Sequence, residues 1–125
     1  MRKTISNLEQ PITLTPAVFH VLIVLADGER HGYAILREIE EIAAGQVRLG
    51  PTTLYRSIRL MLESGLIEES EERPAPDLDD ERRRYYRITD VGFKAAREEA
   101  GRLAMLLKVA QAKKLIPKTT GTGGR

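Results

Sequence analysis

Three short segments in the first half of the chain carry apolar residues at the three- and four-residue steps of one helix face. The first begins at Pro16, behind the candidate cap Thr15, and closes at Asp27-Gly28. The second is "RHGYAILREIEEIAAG", and the third begins at "GPTTLY" and closes at Gly65. Their apolar stripes are Val18, Val21, Leu22 and Leu25; Ile35, Ile39, Ile42 and Ala43; and Leu54, Ile58, Met61 and Leu62. The pattern predicts three consecutive amphipathic helices.

The stretch after the third helix changes to a highly charged pattern typical of strands. "LIEESEE" and "RRRYYRIT" read as the two strands of a hairpin joined by "RPAPDLDDE". The first strand is acidic and the second basic, so facing Glu/Arg pairs favour antiparallel pairing. Alternation places Tyr86 with Ile88 on one face and Tyr85 with Arg83 and Arg87 on the other. Tyr86 is therefore predicted to anchor the hairpin on the core, and Tyr85 to lie along the arginine stems.

One long helix follows, capped by Thr89 or Asp90 and running to about Leu115. At 1.5 Å per residue, its roughly 26 residues span about 39 Å, more than a three-helix core can cover. Its apolar residues form a heptad-like seam with small side chains that allow close approach. The seam consists of Phe93, Ala96, Ala100, Leu103, Leu107 and Ala110. We expect this seam to be the interface of a homodimer.

The order of these elements is that of a winged helix-turn-helix, whose third helix is the one offered to a DNA major groove. We predict a mainly α fold with a small β-hairpin, in which the winged helix-turn-helix is followed by a long C-terminal dimerisation helix. The predicted parts are an N-terminal arm (1–15), a DNA-binding domain (16–89), the dimerisation helix (90–115) and a flexible tail (116–125).

Composition narrows the classes of function. Twenty basic and eighteen acidic residues give a net charge of only +2, so the position of the charges matters more than their sum. The chain has no cysteine and two separated histidines, so no metal or other cofactor is expected. No secretory signal, membrane span, nucleophile–base pair or phosphate-binding loop is recognisable. We expect a soluble, cytoplasmic protein that is not an enzyme and has no membrane partner.

Three motifs carry a family resemblance. "HGYAILREI", "TTLYRSIRLMLESGLIEE" and "RRYYRITDVG", in this order and spacing from about residue 16 to residue 92, resemble the PadR family of bacterial transcriptional regulators. The resemblance implies a homodimeric repressor that binds an inverted-repeat operator in double-stranded DNA, with release by a small molecule in some members. With a single helix after the wing, the chain resembles the branch of the family that has a short C-terminal part. The wing tip "PAPDLDDE" departs from the family, whose tip is often short and basic or glycine-rich.

The third helix carries the main candidates for DNA contact. Thr52 and Thr53 lie in its first turn, where hydroxyls and free backbone N–H groups can meet a phosphate. Tyr55 can donate its hydroxyl to a phosphate or lay its ring on a base edge. Arg56 and Arg59, opposite the apolar stripe, can reach guanine O6 and N7 or the phosphates. The alternative is an ordinary solvated helix face, and the resemblance favours DNA contact.

The wing arginines allow two interpretations. Arg82, Arg83 and Arg84 either touch phosphate or the minor groove, or neutralise nearby carboxylates. Residues 68–81 hold eight acidic residues and one basic residue, a local charge of −8 + 1 = −7, which four arginines cannot cancel. The negative charge of the tip would be repelled by DNA, and both interpretations stay open.

The remaining candidates lie outside the third helix and the wing. His31 and Tyr33 open the second helix, where core or capping roles are expected ahead of contact with the DNA backbone. A small aromatic effector would enter the apolar space between the first helix and the paired last helices. Its candidate walls are Phe19, Phe93, Leu103 and Met105, which an apolar dimer core explains equally well. The alternative function is a winged-helix protein–protein adaptor that does not bind DNA and docks through its acidic tip.

Overall fold

The structure is a computed structural model that describes residues 14–44, 46, 49–70 and 84–117. Within these ranges it contains four helices and three short strands. The helices are α1 (Pro16–Leu25), α2 (Gly32–Ile42), α3 (Pro51–Glu63) and α4 (Asp90–Ala112), and the strands are β1 (Arg30–His31), β2 (Ile67–Ser70) and β3 (Tyr85–Ile88). The predicted winged helix-turn-helix with a long C-terminal helix is confirmed.

The helix starts follow from local capping chemistry. The Thr15 hydroxyl accepts a hydrogen bond from the Val18 N–H at 3.2 Å, as expected for the cap of α1. The Thr89 hydroxyl does the same for α4 by accepting from the Gly92 N–H at 3.0 Å. After α3, Gly65 adopts a left-handed conformation with φ of 77° that turns the chain into β2. Helix α4 ends at Ala112 instead of the predicted Leu115.

Helix α1 lies at the centre of the core and contacts α2, α3, α4 and β3. A helix at this position is surrounded by other elements and therefore carries apolar residues on most of its sides. Its mean hydropathy is accordingly high, and its apolar stripe is less distinct than those of α2 and α3. Leu14, just before the helix, is also buried in this core. The largest fully buried side chains are Val21, Leu22, Val24, Leu25, Ile35, Ile39, Leu54, Met61 and Ile67. Seven of these nine belong to the predicted stripes of α1, α2 and α3, and the other two are Val24 and Ile67.

The sheet contains a strand that the sequence pattern does not reveal. Its order is β1–β3–β2, with both pairs antiparallel. The predicted pairing of β2 with β3 is present, and Glu68 lies opposite Arg87. Strand β1 pairs Arg30 with Tyr86 and His31 with Tyr85. Two residues are too few to display the alternation by which strands are recognised in a sequence, so the pattern does not predict β1. The predicted two-stranded hairpin is extended by β1 to a three-stranded sheet.

The two adjacent tyrosines of β3 have different outcomes. Tyr86 is 5% exposed and belongs to the core cluster, so its predicted role as the anchor of the wing is confirmed. The prediction that Tyr85 lies along the arginine stems stays a prediction, because Arg83 lies outside the described residues. The side chain of Tyr85 is 8% exposed, and its ring meets the His31 ring edge-on, with centroids 5.3 Å apart and an interplanar angle of 89°. Strand β1 brings His31 beside this ring.

The start of α4 is fastened to the turn that follows α3. The Leu66 carbonyl oxygen accepts from the Thr89 N–H at 3.1 Å and from the Thr89 hydroxyl at 3.0 Å. A Cβ placed on Gly92 would lie 2.1 Å from the same oxygen, so glycine permits this close approach. Gly92 and Ala95 are buried, whereas the residues from Ala100 to Val109 are exposed. The helix is thus anchored at its first turns and uncovered beyond them.

None of the described helices combines the length and the apolar composition that a membrane crossing requires. Likewise, no group of three or more His, Asp or Glu side chains within the described ranges is placed to hold a metal ion.

Candidate nucleic-acid interface

Helix α3 separates its residues into a buried face and an exposed face. Leu54, Ser57, Ile58 and Met61 are buried against the rest of the domain. The five residues of α3 predicted to contact DNA are all exposed: Thr52, Thr53, Tyr55, Arg56 and Arg59. The 3.6-residue period of the helix produces this separation, because the apolar positions recur every three or four residues.

An open depression with a volume of about 430 Å³ lies on this exposed face. It is lined by Pro51, Thr52, Tyr55, Arg56 and Arg59. Gly50 precedes the helix, and no side chain caps it by a hydrogen bond. The backbone N–H groups of Thr52 and Thr53 lie in the first turn of the helix, where N–H groups have no intrahelical acceptor. Hydroxyls, free N–H groups and two guanidinium groups together form a surface suited to an anion.

The positive charge of α3 is not neutralised within the described part of the chain. Neither Arg56 nor Arg59 forms an ion pair with a described residue. Other arginines do: Arg30 pairs with Glu38, and Arg102 pairs with Glu99 at 2.6 Å. An exposed guanidinium without a carboxylate partner can meet an incoming phosphate or base, so the charges of Arg56 and Arg59 are available for such a contact.

Tyr55 connects α3 to the start of α2. Its side chain is 49% exposed, and a Cβ on Gly32 would lie 2.3 Å from its hydroxyl oxygen. The ring can rest against α2 only because residue 32 has no side chain. Burial raises the pKa of the Tyr86 phenol, and the nearby Glu69 carboxylate and Tyr55 add to this shift. Tyr55 thus lies where α2, α3 and the sheet meet.

The wing arginines of the described residues have acidic partners. One Arg84 nitrogen lies 3.2 Å from each Glu69 carboxylate oxygen, and the Arg87 Nε lies 2.8 Å from the Glu68 carboxylate. Arg87 also lies 3.9 Å from Glu29. Exposed ion pairs of this kind contribute about 0–1 kcal/mol each, so these contacts hold the side chains loosely.

The two other wing candidates, Arg82 and Arg83, lie outside the described residues. The same holds for the acidic tip "PAPDLDDE". Of the predicted wing contacts, the structure therefore describes Arg84 alone, just before β3, and its side chain is exposed.

Of the two residues that open α2, His31 has one of the expected roles and Tyr33 has neither. His31 caps the helix, because its Nδ1 accepts a hydrogen bond from the Ala34 N–H at 3.2 Å. Tyr33 has neither a core nor a capping role, since its side chain is 62% exposed. The reason is the helical phase of α2, which directs Ile35 and Ile39 to the core and Tyr33 to solvent.

The candidates for the effector pocket and the dimer interface are distributed along α1 and α4. Phe19 packs partly buried against the core, and Phe93 is half-buried with the Arg97 guanidinium 5.8 Å from its ring centroid. Leu103 and Met105 are exposed. Of the other seam residues, Ala96 packs against the core of its own chain, Ala110 is half-buried, and Ala100 and Leu107 are exposed.

Comparison with known proteins identifies the relatives of this chain. The sequence model of the "Transcriptional regulator PadR-like family" matches residues 21–98. A PadR family transcription regulator from Clostridium difficile has a similar structure, with a TM-score of 0.66 at 19% identity over 78% of this chain and 97% of that one. RosR of H. salinarum is 26% identical, with a TM-score of 0.57 over 82% of this chain and 96% of that one.

A third relative is known from its sequence. An uncharacterized 37.1 kDa protein of transposon Tn4556 from Streptomyces fradiae is 35% identical over 86 residues. These residues are 69% of this chain but only 22% of that longer protein. The similarity therefore concerns one part of the transposon protein and says nothing of the rest.

Proposed function

Because the chain belongs to the PadR-like family of transcriptional regulators, we propose that it is a cytoplasmic repressor that binds an inverted-repeat operator as a homodimer. The family and the winged-helix neighbours support a DNA-binding regulator. In this proposal α3 enters the major groove, and Thr52 and Thr53 meet a phosphate at its first turn. Arg56 and Arg59 reach base edges or phosphates, and Tyr55 donates its hydroxyl to the backbone.

The observation that carries the proposal is the exposed face of α3, on which two arginines without an ion-pair partner among the described residues adjoin an uncapped helix start. Sequence is read in the major groove by bidentate arginine contacts to guanine, and helix N-termini favour phosphate. On a solvated helix face, a carboxylate four residues away can stabilise an arginine as an ion pair. Here the position four residues before Arg56 is Thr52, and the position four residues after Arg59 is Glu63, which makes no ion pair with it.

The uncovered part of α4 supports self-association. Leu103, Met105, Leu106, Leu107 and Val109 are all exposed, although each is a large apolar side chain. Full burial of one such side chain stabilises by about 1.5–3 kcal/mol, so pairing with the same helix of a second copy would be favourable. A symmetric dimer would place two α3 helices in successive major grooves, about 34–36 Å apart.

The effector is the part of the proposal that rests most on the family. A planar aromatic molecule would enter between α1 and the paired α4 helices, with Phe19, Phe93, Leu103 and Met105 as walls. Its binding would shift the dimer towards a spacing of the α3 helices that no longer matches the grooves. Calorimetry of the full chain against planar aromatic compounds would detect it, and the absence of heat for every compound would remove the sensor role.

The DNA-binding role is tested by gel shift with the duplex immediately upstream of the protein's own coding sequence, against an unrelated duplex of equal length. Arg56→Ala and Arg59→Ala are each expected to weaken binding of the upstream duplex by about 1–3 kcal/mol if they read bases. Arg56→Lys separates the roles, since lysine keeps the charge but loses the bidentate fork. Lys108→Ala is the matched control for net charge, because Lys108 is exposed on α4 and lies off the predicted seam.

Two results would contradict the proposal. Binding of both arginine variants at the affinity of the unmodified chain would remove the assignment to α3. Failure of the unmodified chain to bind any duplex at low salt would instead favour the protein–protein adaptor. Salt dependence is informative too, because three to five phosphate contacts per subunit would weaken binding on the order of a thousandfold from about 50 to 200 mM salt.

A further inference from the structure

A second exposed group, formed by a tyrosine and an arginine, lies in the first half of α2. Tyr33 and Arg37 are one helical turn apart, both are exposed, and the Arg37 guanidinium carbon lies 5.8 Å from the Tyr33 ring centroid. The pair is on the side of α2 opposite to Ile35 and Ile39, which are fully buried. The ring restrains the arginine while leaving its N–H groups accessible to solvent. Neither side chain has a role in the core or in the cap of the helix.

This pair adjoins the exposed face of α3. Gly32 precedes Tyr33, and the Tyr55 hydroxyl lies so close to Gly32 that any Cβ there would be 2.3 Å from it. Tyr55 in turn lines the same depression as Arg56. The exposed surface therefore continues from the depression on α3, across Tyr55, to the start of α2.

The charges of α2 are ordered along the helix. Arg37 forms no ion pair with any residue that the structure describes. Glu38 is occupied by Arg30, which also contacts Asp27 at 3.2 Å. The exposed carboxylates Glu40 and Glu41 come later, towards the end of the helix that lies away from Tyr55. The first six residues of α2 thus carry one positive charge and no negative charge.

We infer that Tyr33 and Arg37 form a phosphate-binding site for the DNA strand that borders the groove entered by α3. In helix-turn-helix domains the helix before the recognition helix crosses the DNA backbone, which is where this pair would lie. Arg37 supplies a positive charge and the Tyr33 hydroxyl supplies a donor, both of which suit a phosphate oxygen. The inference rests on the DNA binding proposed above and adds a contact that is independent of base sequence.

The test compares full-length variants by fluorescence anisotropy at several salt concentrations, on the upstream duplex and on an unrelated duplex of equal length. Arg37→Gln is expected to weaken binding to both duplexes on the order of tenfold and to reduce the salt slope by about one. The ratio of the two affinities should stay unchanged, since a phosphate carries no sequence information. Tyr33→Phe, which removes only the hydroxyl, should weaken both by a smaller factor.

Two controls accompany these variants. Lys108→Gln makes the same change in net charge on α4, and its affinity should stay within a factor of about two of the unmodified chain. Thermal unfolding of Arg37→Gln should stay close to that of the unmodified chain, because Arg37 is exposed, makes no ion pair among the described residues and loses only its exposed contact with the Tyr33 ring.

Each other outcome overturns the inference in a distinct way. Unchanged affinity and salt slope in Arg37→Gln, with Arg56→Ala impaired, would remove the α2 contact and leave the proposed function standing. A loss confined to the upstream duplex would assign Arg37 to base recognition instead of phosphate binding. Absence of salt-sensitive binding by the unmodified chain would overturn both this inference and the proposed function.

Discussion

The attachment of α4 to the winged domain can be tested at a single backbone contact. In Gly92→Ala the added Cβ would lie 2.1 Å from the Leu66 carbonyl oxygen and 2.8 Å from the Ile88 Cγ1 atom. Carbon and oxygen atoms pack at about 3.3–3.6 Å, so helix and turn must separate by roughly 1 Å. The obstructing atom belongs to the backbone, and rotation of a side chain cannot relieve the clash.

The cost follows from what the separation breaks. Overpacking of a core typically costs about 1–3 kcal/mol. The Leu66 oxygen also accepts a hydrogen bond from the Thr89 N–H, which contributes about 0.5–1.5 kcal/mol and would lengthen. The Thr89 hydroxyl keeps its closer acceptor, the Gly65 carbonyl oxygen at 2.6 Å. Alanine is favoured over glycine within a helix by about 1 kcal/mol, which offsets part of the loss. The net destabilisation should be about 0.5–3.5 kcal/mol.

Gly101 provides the matched control, because it lies in the same helix and a Cβ added there would meet no atom of the described residues within 4 Å. Gly101→Ala should therefore stabilise by about 0.5–1 kcal/mol through helix propensity alone. Thermal unfolding followed by circular dichroism, at one protein concentration, should lower the midpoint of Gly92→Ala by roughly 4 °C per kcal/mol and raise that of Gly101→Ala. A Gly92→Ala midpoint at or above that of the unmodified chain would refute the described docking of α4.

Two further predictions concern local interactions. His31→Ala should destabilise the chain by about 1 kcal/mol, because the cap of α2 is lost. His31→Asn should recover the capping contribution, because asparagine is a good cap. Equal stability of the two variants in urea unfolding would contradict the capping role. The Arg102 guanidinium, by its hydrogen bond, holds the pKa of the Glu99 carboxyl below its ordinary value of 4.5. The stabilisation from this pair should therefore be complete above the pKa that Glu99 has in the unfolded chain, and it should be lost as the pH falls through the lower pKa of Glu99 in the folded chain. The difference in urea midpoint between Glu99→Gln and the unmodified chain should accordingly narrow on acidification.

The helices can be predicted from the sequence because each signal is strong and local. The 3.6-residue stripes of α2 and α3 are regular, and Thr15, Thr89 and Gly65 mark boundaries by chemistry that acts within one turn. The facing charges of Glu68 and Arg87 likewise indicate the antiparallel pairing of β2 and β3. These features require no knowledge of what lies far away in the chain.

The features that the sequence does not reveal depend on contacts between distant segments. Strand β1 exists because the chain before α2 passes beside β3, and no alternation within two residues announces it. The contact of Tyr85 with His31 is not apparent from the sequence for the same reason, since the two residues lie 54 positions apart. The close approach of Tyr55 to Gly32 is a third example, as a glycine at a helix start is ordinarily read as a cap or a turn.

The distribution of arginines with and without acidic partners explains how a chain of net charge +2 can be suited to DNA. Arg30, Arg84, Arg87 and Arg102 each have a carboxylate within 4 Å, so their charges are largely cancelled at long range. Arg37, Arg56 and Arg59 have no such partner among the described residues, and they lie on adjoining surfaces of α2 and α3. Because exposed charges act over about 10 Å at moderate salt, an incoming duplex would respond to this local group and not to the sum over the chain. The small net charge is therefore compatible with salt-dependent binding, provided that the contacts are made by the helices and not by the acidic side of the wing.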